Sequence, residues 1–254
     1  MENNGIIKFG IFEESSHVHD TTSISSACFI DNDSFVIATL SKTITMNKSS
    51  ILESVSMQFS HILYIEKYNT IVAVSSHSSN LFIFPAHDMS RPYISNYPTT
   101  QHIISFLLYS PKSEAIITIG EKIRVFYLKV SQNSKLMRPT VIIESTFTFK
   151  SMFNLSGCNS IGFDTNDEIL FLPSPEGICT YSIKGEPLSR IARLTTNMST
   201  VYAYTNTPKE LLVSDPTNGL SLWSSIGTLV QRIPYDGSSI ITMEFIDDEN
   251  VLIL

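Results

Sequence analysis

Residues Lys209–Ile233, KELLVSDPTNGLSLWSSIGTLVQRI, contain the pattern from which the fold of the whole chain can be predicted. Three short runs rich in apolar residues, Glu210–Ser214, Leu220–Trp223 and Thr228–Ile233, are separated by segments rich in Pro, Asn, Gly and Ser. Such runs are typical of β-strands, and Pro216–Gly219 (PTNG) is typical of a tight turn. The stretch is therefore predicted to form three strands joined by two turns.

The same layout recurs four times upstream and begins again downstream, so the chain from Ser23 onward is predicted to repeat one unit. The strands predicted for the first four copies are Ser26–Ile30, Phe35–Thr39, Lys42–Met46 and Ser54–Phe59; Ile62–Ile65, Ile71–Val74, Leu81–Phe84 and Tyr93–Asn96; Ile103–Tyr109, Ala115–Ile119, Ile123–Leu128 and Val141–Phe147; and Ser160–Phe163, Ile169–Leu172, Ile178–Ile183 and Leu188–Leu194. The fifth copy adds Thr200–Tyr204 to the quoted stretch, and a sixth begins with Ile240–Phe245 and Val251–Leu254. No apolar pattern at helical spacing extends over a dozen residues, which predicts an all-β protein.

Many second and third strands of these copies are apolar throughout instead of alternating. Ala115–Ile119 (AIITI) and Ile123–Leu128 (IRVFYL) are examples. Continuous apolar strands indicate burial on both faces of a sheet. We therefore expect each sheet to be packed between two neighbouring sheets.

One column of large side chains marks the repeat. The fourth residue of each third-strand core is large, and these residues are Met46, Phe84, Phe126, Tyr181 and Trp223. They follow one another at intervals of 38, 42, 55 and 42 residues. A period of roughly 40–45 residues with four strands per unit is typical of a propeller blade. The long interval indicates an insertion, which we place at Ser131–Thr140.

The chain resembles the WD40-repeat family in three features. These are the sequence Gly219–Trp223 (GLSLW), the column of large side chains, and the order of strands and turns over residues 23–254. It departs from that family because no repeat has the Trp-Asp dipeptide and no Gly-His pair opens a blade. The residues in the position of the Asp are Asn47, Pro85, Tyr127, Ser182 and Ser224. The family's buried hydrogen-bonded network is therefore not carried over to any residue here.

The resemblance implies one β-propeller domain over residues 1–254, with five four-stranded blades and part of a sixth. Because the sixth copy stops in its second strand, we expect an incomplete propeller of six to eight blades that continues past Leu254. Trp223, the largest residue of the column, is expected to be buried between blades. A β-sandwich or another all-β fold is the alternative.

Composition limits the partners of the chain. The formal net charge is −7 and no dense basic run is present. Nucleic acid is therefore not expected as a partner, since contacts to phosphates supply much of the affinity of nucleic-acid-binding proteins. No apolar run approaches the roughly 20 residues of a membrane span. The first residues do not have the pattern of a signal peptide, so a cytoplasmic location is predicted, with cytoskeletal or ciliary association as a variant of it.

Residues that could bind metals or perform catalysis do not form a recognised motif. Three cysteines, Cys28, Cys158 and Cys179, lack metal-site spacing and are interpreted as small buried hydrophobic residues. The segment His17–Asp20 (HVHD) is interpreted as an exposed loop, because it has no further ligands nearby. The acidic segments Asp31–Asp33, Asp164–Asp167 and Asp247–Asn250 fit hairpin turns better than calcium loops, since they lack the spacing of an EF-hand.

The predicted function is a non-catalytic protein–protein interaction scaffold, without cofactor or metal, whose partners are other proteins. Rigid blades would hold loops that contact those partners. By family resemblance, the loops joining second to third strands form the binding face, and the candidate residues are Ser76, His77, Glu121, Glu176, Asp215 and Asn218. The alternatives are a structural propeller module of a larger cytoskeletal or ciliary assembly, and an enzyme on a propeller scaffold.

Overall fold

The computed structural model describes residues 24–31, 33–39, 42–47, 50–75, 77, 80–98, 104–133, 138–151, 155, 160–174, 177–191, 201–206, 209–215, 219–224, 226–234, 240, 243–245 and 251–253. This part of the chain is all-β and forms several small antiparallel sheets. The one helix within it is a single 3-10 turn, Glu66–Tyr68. The chain divides into two compact units, one spanning His17–Lys150 and the other including Ser151–Leu254.

The unit His17–Lys150 contains three four-stranded sheets, each with its strands in chain order from one edge to the other. The first sheet consists of β1 (Ile24–Phe29), β2 (Ser34–Thr39), β3 (Thr43–Asn47) and β4 (Ser50–Val55). The second consists of β5 (Phe59–Ile65), β6 (Thr70–Ser75), β7 (Asn80–Pro85) and β8 (Ile94–Pro98). The third consists of β9 (Ile104–Ser110), β10 (Ala115–Gly120), β11 (Ile123–Asn133) and β12 (Arg138–Phe149).

The other unit has two four-stranded sheets of the same kind and a pair of strands. One sheet consists of β13 (Gly162–Asp164), β14 (Ile169–Ser174), β15 (Gly177–Ser182) and β16 (Pro187–Ile191). The other consists of β17 (Val201–Asn206), β18 (Lys209–Asp215), β19 (Gly219–Ser224) and β20 (Leu229–Ile233). The last pair is β21 (Met243–Phe245) with β22 (Val251–Ile253).

Burial on both faces, which the apolar strands predict, is confirmed for the second strands of two sheets. In β6, Ile71 and Ala73 pack against residues of β2, whereas Val72 and Val74 pack toward β10 and β11. In β18, Leu211 and Val213 pack against the β13–β16 sheet, and Leu212 packs against Ile240 and Met243. Full burial of each such aliphatic side chain contributes about 1.5–3 kcal/mol to the stability of the folded state. These strands therefore account for much of the core of each unit.

One backbone hydrogen bond recurs in three sheets. Asn69, Glu114 and Glu168 each end the turn before a second strand, and each has a left-handed φ of 47°, 51° and 58°, respectively. Their carbonyl oxygens accept the N–H groups of Ala86, Leu128 and Ile183 at 3.0, 2.8 and 3.1 Å. Each donor lies two residues after a member of the large-residue column. The copies inferred from sequence are therefore copies in backbone geometry as well.

The large-residue column occupies one position in the third strand of each of the five four-stranded sheets. Its members pair in the backbone with Phe35, Ile71, Ile116, Leu170 and Leu211 of the second strands. Phe84, Phe126 and Tyr181 are buried. For Met46 the backbone pairing is described but the side chain is not. Trp223 is only half-buried, which corrects the expectation that it is buried. It packs against the cluster of Phe171, Ile178, Leu211 and Val213. Its Nε1–H donates to Ser221 Oγ at 2.9 Å.

One strand prediction is wrong. The fourth strand of the first sheet is Ser50–Val55 instead of Ser54–Phe59, because Phe59 begins the next sheet and is buried in its core. The predicted insertion at Ser131–Thr140 lengthens a hairpin: β11 and β12 continue into it, pairing as far as Asn133 with Arg138. A register shift between Tyr127 and Leu128 separates this extension from the rest of the hairpin.

Candidate binding groove

A groove of about 600 Å³ lies within the unit His17–Lys150, where the sheets β5–β8 and β9–β12 meet. Three segments line it: the turn before β6, the connection from β7 to β8, and the extended β11–β12 hairpin. Its lining residues are Lys67, Tyr68, Asn69, Pro85, Ala86, His87, Asp88, Tyr93, Val130, Thr140 and Val141. A volume of this size can accommodate a small ligand or a few side chains of a peptide.

The first wall is fixed by an ionic contact between the two sheets. Lys67 and Tyr68 belong to the 3-10 turn, and both donate hydrogen bonds to the carboxylate of Glu114, which precedes β10. The Lys67 ammonium also lies 5.6 Å from the centre of the Tyr68 ring, within the range of a cation–π interaction. These two hydrogen bonds hold the pKa of Glu114 below its usual range, so its carboxylate is ionised at neutral pH.

The second wall is the connection Pro85–Tyr93, which is anchored at both ends. The Ala86 N–H donates to Asn69, and the Tyr93 N–H donates to the carbonyl oxygen of Ile83 at 2.7 Å. Met89, between them, is buried in the core formed by the β1–β4 and β5–β8 sheets. The connection is therefore held in place and presents the exposed imidazole of His87 to the groove.

Asp88 contributes a negative charge beside His87. The Ser90 hydroxyl donates to Asp88 Oδ1 at 2.5 Å and the Ser90 N–H does so at 3.1 Å. Together these bonds lower the pKa of the Asp88 carboxyl group below its ordinary value. The rim of the groove thus carries Lys67, His87 and an ionised Asp88.

The third wall exists because β11 and β12 are longer than the strands of the other sheets. Val130 and Val141 are paired across the two strands. Val141 is buried in the core shared with the β5–β8 sheet, whereas Val130 is 48% exposed. Thr140 is buried, and its hydroxyl donates to the carbonyl oxygen of Ser131 at 3.3 Å. The hairpin extension therefore offers an accessible aliphatic side chain on a rigid two-stranded support.

The predicted binding residues are not among those that line this groove. His77 is exposed and contacts Gln58, and Glu121 is exposed in the turn between β10 and β11. Asp215 pairs in the backbone with Gly219, but its side chain is outside the described residues. Ser76, Glu176 and Asn218 also lie outside them. Sequence reasoning located the insertion at Ser131–Thr140 but missed the groove, because the sequence does not show that the inserted residues extend a hairpin beside the β5–β8 sheet.

Two acidic segments form hydrogen-bonded turns, as their sequence predicts. Asp31 Oδ1 accepts the N–H groups of Asp33 and Ser34 at 2.8 and 2.7 Å. Asp164 Oδ1 accepts those of Asn166 and Asp167 at 2.9 and 3.0 Å. Residues 247–250 and His17–Asp20 lie outside the described part of the chain. Among the residues that the structure describes, no group of three or more His, Cys, Asp or Glu side chains could hold a metal ion.

No protein-family model and no curated protein matches the chain. Among solved structures it resembles "KlHsv2 with loop 6CD replaced by a Gly-Ser linker", with a TM-score of 0.51 and 14% sequence identity. The match covers 92% of this chain and 89% of that chain. At this identity the likeness shows a shared fold alone. Since 818 solved chains match, the fold does not select one function. In the described part of the chain no helix is long and apolar enough to cross a membrane.

Proposed function

We propose that this chain is a non-catalytic protein-interaction platform on a WD40-like β-propeller, and that an extended segment of a partner protein binds in the groove between the β5–β8 and β9–β12 sheets. The propeller is supported by the repeated four-stranded sheets, by the recurring bond between turn and third strand, and by the likeness to a solved chain over 92% of the sequence.

The observation that carries the binding proposal is the composition of the groove. Val130 and Tyr93 provide apolar surface in its lining, while Lys67 and Asp88 provide charges of both signs. A peptide can bury an apolar side chain against the apolar surface and direct its polar groups to the charged side chains. Hydrogen bonds and buried side chains hold the walls in place. Binding therefore costs little additional conformational entropy of the groove.

Two titratable groups beside this groove, Glu114 and Tyr68, are held in hydrogen bonds between the two sheets. The carboxylate of Glu114 accepts two hydrogen bonds that tie the sheets together, and its pKa is lowered, whereas a general acid or base needs a pKa near the working pH. Burial, together with the hydrogen bond to that carboxylate, raises the pKa of the Tyr68 phenol, which keeps it protonated. A platform fits these properties better than an enzyme does.

The experiment is a quantitative pull-down with the intact protein and three variants. Val130→Glu places a charge on the apolar surface of the groove lining. Val230→Glu is its matched control, because Val230 is a valine of similar exposure, 51% against 48%, on β20 of the other unit. Glu121→Lys changes the face that family resemblance favours.

We expect a defined set of proteins to be retained by the wild-type chain, Val230→Glu and Glu121→Lys, and lost with Val130→Glu. All variants should keep the wild-type melting temperature, since each altered residue is exposed. Retention that is the same for both valine variants would contradict binding in the groove. Loss with Glu121→Lys alone would assign binding to the second-to-third strand loops.

A further inference from the structure

The groove between the β5–β8 and β9–β12 sheets is lined by two chemically different surfaces. The β11–β12 hairpin contributes Val130, Thr140 and Val141, none of which is charged. The β5–β8 sheet contributes both charged residues of the lining, Lys67 and Asp88. A segment bound in the groove therefore meets aliphatic side chains on the hairpin and charged side chains on the neighbouring sheet.

The cations at the groove already have acidic neighbours. The Lys67 ammonium donates to the carboxylate of Glu114 and forms an ion pair with it. Hydrogen bonds from Ser90 are the first cause of the lowered pKa of Asp88, and the charge of nearby Arg91 lowers this pKa further. Lys67 and Arg91 therefore give the groove no net positive charge.

One further carboxylate lies beside His87. Asp31 is exposed in the turn between β1 and β2. Hydrogen bonds from Asp33 and Ser34 lower the pKa of Asp31, and the charge of His87 contributes to the same shift. The turn of the first sheet thus brings a negative charge close to the imidazole that the Pro85–Tyr93 connection presents to the groove.

Another carboxylate, that of Glu66, lies close to the groove wall. Glu66 is the exposed first residue of the 3-10 turn. The Tyr64 hydroxyl donates to Oδ1 of the groove residue Asn69 at 3.1 Å. Burial raises the pKa of the Tyr64 phenol, and the charges of Glu66 and Asp31 raise it further. Within the described part of the chain neither carboxylate forms an ion pair with a lysine or arginine.

The charges named so far sum to two negative charges when His87 is neutral. They are the carboxylates of Asp31, Glu66, Asp88 and Glu114 and the cations of Lys67 and Arg91. A surface of one net sign attracts segments of the opposite sign and repels those of its own. The groove therefore combines an aliphatic surface with a surplus of negative charge.

We propose that the segment bound in this groove is basic, with a lysine or arginine close to the apolar side chain that contacts Val130. Its cation faces the carboxylates of Asp31, Glu66 and Asp88. Since it names the partner of the same groove, this inference rests on the proposed function. An extended segment suits the site, because successive side chains of an extended chain point in opposite directions and reach both surfaces.

An acidic segment does not fit the same groove. The Lys67 ammonium is held by Glu114 and lies 5.6 Å from the centre of the Tyr68 ring. An acidic side chain would have to compete with Glu114 for this cation, and so weaken a contact that ties the two sheets together. It would also approach the unpaired carboxylates of Asp31 and Glu66, which repel it.

The test begins with a library of random peptides of about twelve residues, displayed on phage and selected on the intact protein. Enriched peptides should carry lysine or arginine near an apolar residue. Their dissociation constants are then measured with labelled synthetic peptides by fluorescence anisotropy. Affinity should fall with increasing ionic strength, because the attracting charges are exposed.

Two conservative variants remove the negative charges without changing the shape of the site. Asp31→Asn keeps the oxygen that accepts the N–H groups of Asp33 and Ser34, and Glu66→Gln keeps the length of its side chain. Each should raise the dissociation constant about threefold, and both together about tenfold. Glu121→Gln is the matched control, since Glu121 is exposed between β10 and β11, and it should have no effect.

An uncharged change shows whether the selected peptides bind in the groove at all. Val130→Asn removes the aliphatic side chain and adds no charge, and Val230→Asn is its control on the other unit. Binding should be lost with Val130→Asn and kept with Val230→Asn. Peptides that Val130→Asn still binds, or a selection without any enriched peptide, would overturn both this inference and the proposed function.

Other outcomes overturn the basic partner and leave the groove in place. One is a set of peptides that need Val130 but lack lysine and arginine. Another is a dissociation constant that Asp31→Asn and Glu66→Gln leave unchanged. A third is an equal loss of affinity with Glu121→Gln, which would assign the effect to the overall charge of the chain.

Discussion

The backbone N–H of Leu128 donates to the carbonyl oxygen of Glu114 over 2.8 Å, which ties the third strand of a sheet to the turn that precedes its second strand. Ala86 with Asn69, and Ile183 with Glu168, repeat this contact in two other sheets. The accepting residue has a left-handed backbone each time, although only Asn69 belongs to a residue type that adopts it readily. The repeat is therefore maintained by backbone geometry where the side chains have diverged.

The strained turn at Glu168 can be stabilised. Glu168→Asn should raise the free energy of unfolding by up to about 1 kcal/mol, because Asn tolerates the left-handed conformation better than Glu. Chemical denaturation measures the change. Glu186→Asn is the control, since Glu186 is exposed and its φ is not positive, and it should give no gain. A loss of stability in Glu168→Asn would contradict this account of the turn.

The two acidic turns should differ in their importance for stability. Asp164 is 1% exposed and its carboxylate accepts two backbone N–H groups, so Asp164→Ala removes a buried acceptor that holds the turn by two hydrogen bonds. We expect this change to lower the free energy of unfolding by about 1–3 kcal/mol. Asp31→Ala removes the equivalent pair of hydrogen bonds from an exposed turn, where water can replace the carboxylate. It should therefore lower the free energy of unfolding by less. Equal losses for both variants would show that burial of the turn is not the deciding factor.

Protonation of His61 should destabilise the fold in mildly acidic solution. Its Nε2 lies 3.0 Å from the Ser105 carbonyl oxygen and Nδ1 lies 3.0 Å from Ser60 Oγ. Burial lowers the pKa of this histidine below its ordinary value. Above pH of about 6.5 the residue is neutral in both states. As the pH falls from there to the lowered folded pKa, the unfolded chain binds a proton that the folded chain does not, so the free energy of unfolding decreases.

His61→Gln keeps a donor for Ser105 but cannot titrate, and it provides the comparison for this prediction. Denaturation curves over a pH series should show that the free energy of unfolding of the wild type decreases below about pH 6.5, and that this decrease is smaller in the variant. If the two proteins lose stability in parallel, His61 is not the titrating group.

The thiol of Cys28 should be protected from alkylation in the folded protein. Cys28 packs against the core between the β1–β4 and β5–β8 sheets, and burial raises the pKa of its thiol to about 12. Thiolate is the reactive form, so iodoacetamide near pH 8.5 should label Cys28 slowly in the native state and rapidly in urea. Peptide mass spectrometry measures both rates. Equal rates would mean that the β1 edge opens to solvent.

The sequence predicted the second and third strands best, because their continuous apolar runs depend on local composition and on burial between sheets. Ala115–Ile119 and Ile169–Leu172 lie within β10 and β14. The fourth strand of the first sheet was predicted less well: it was placed at Ser54–Phe59 and lies at Ser50–Val55. Phe59 was assigned to the wrong sheet because a buried residue does not show which neighbour it packs against.

The groove could not be predicted from sequence in this way. Lys67 and Glu114 are 47 residues apart in the chain and meet only because two sheets pack together. Val130 and Thr140 belong to a polar stretch whose pairing as strands depends on the hairpin already formed nearer the core. Trp223 was expected to be buried because of its size, but it is only half-buried, and its indole N–H finds the polar partner that it needs in the buried hydroxyl of Ser221.

The most direct measurement of the central claim is amide hydrogen exchange of the intact protein with and without a partner that it retains. Binding in the groove predicts protection in the peptides that cover residues 66–69, 85–93 and 128–141, with β20 unchanged as an internal control. Protection confined to residues 75–80, 120–122, 173–177 and 215–219 would contradict the groove and assign the partner to the second-to-third strand loops. Unchanged exchange in all of these segments would contradict a partner-binding role for both surfaces.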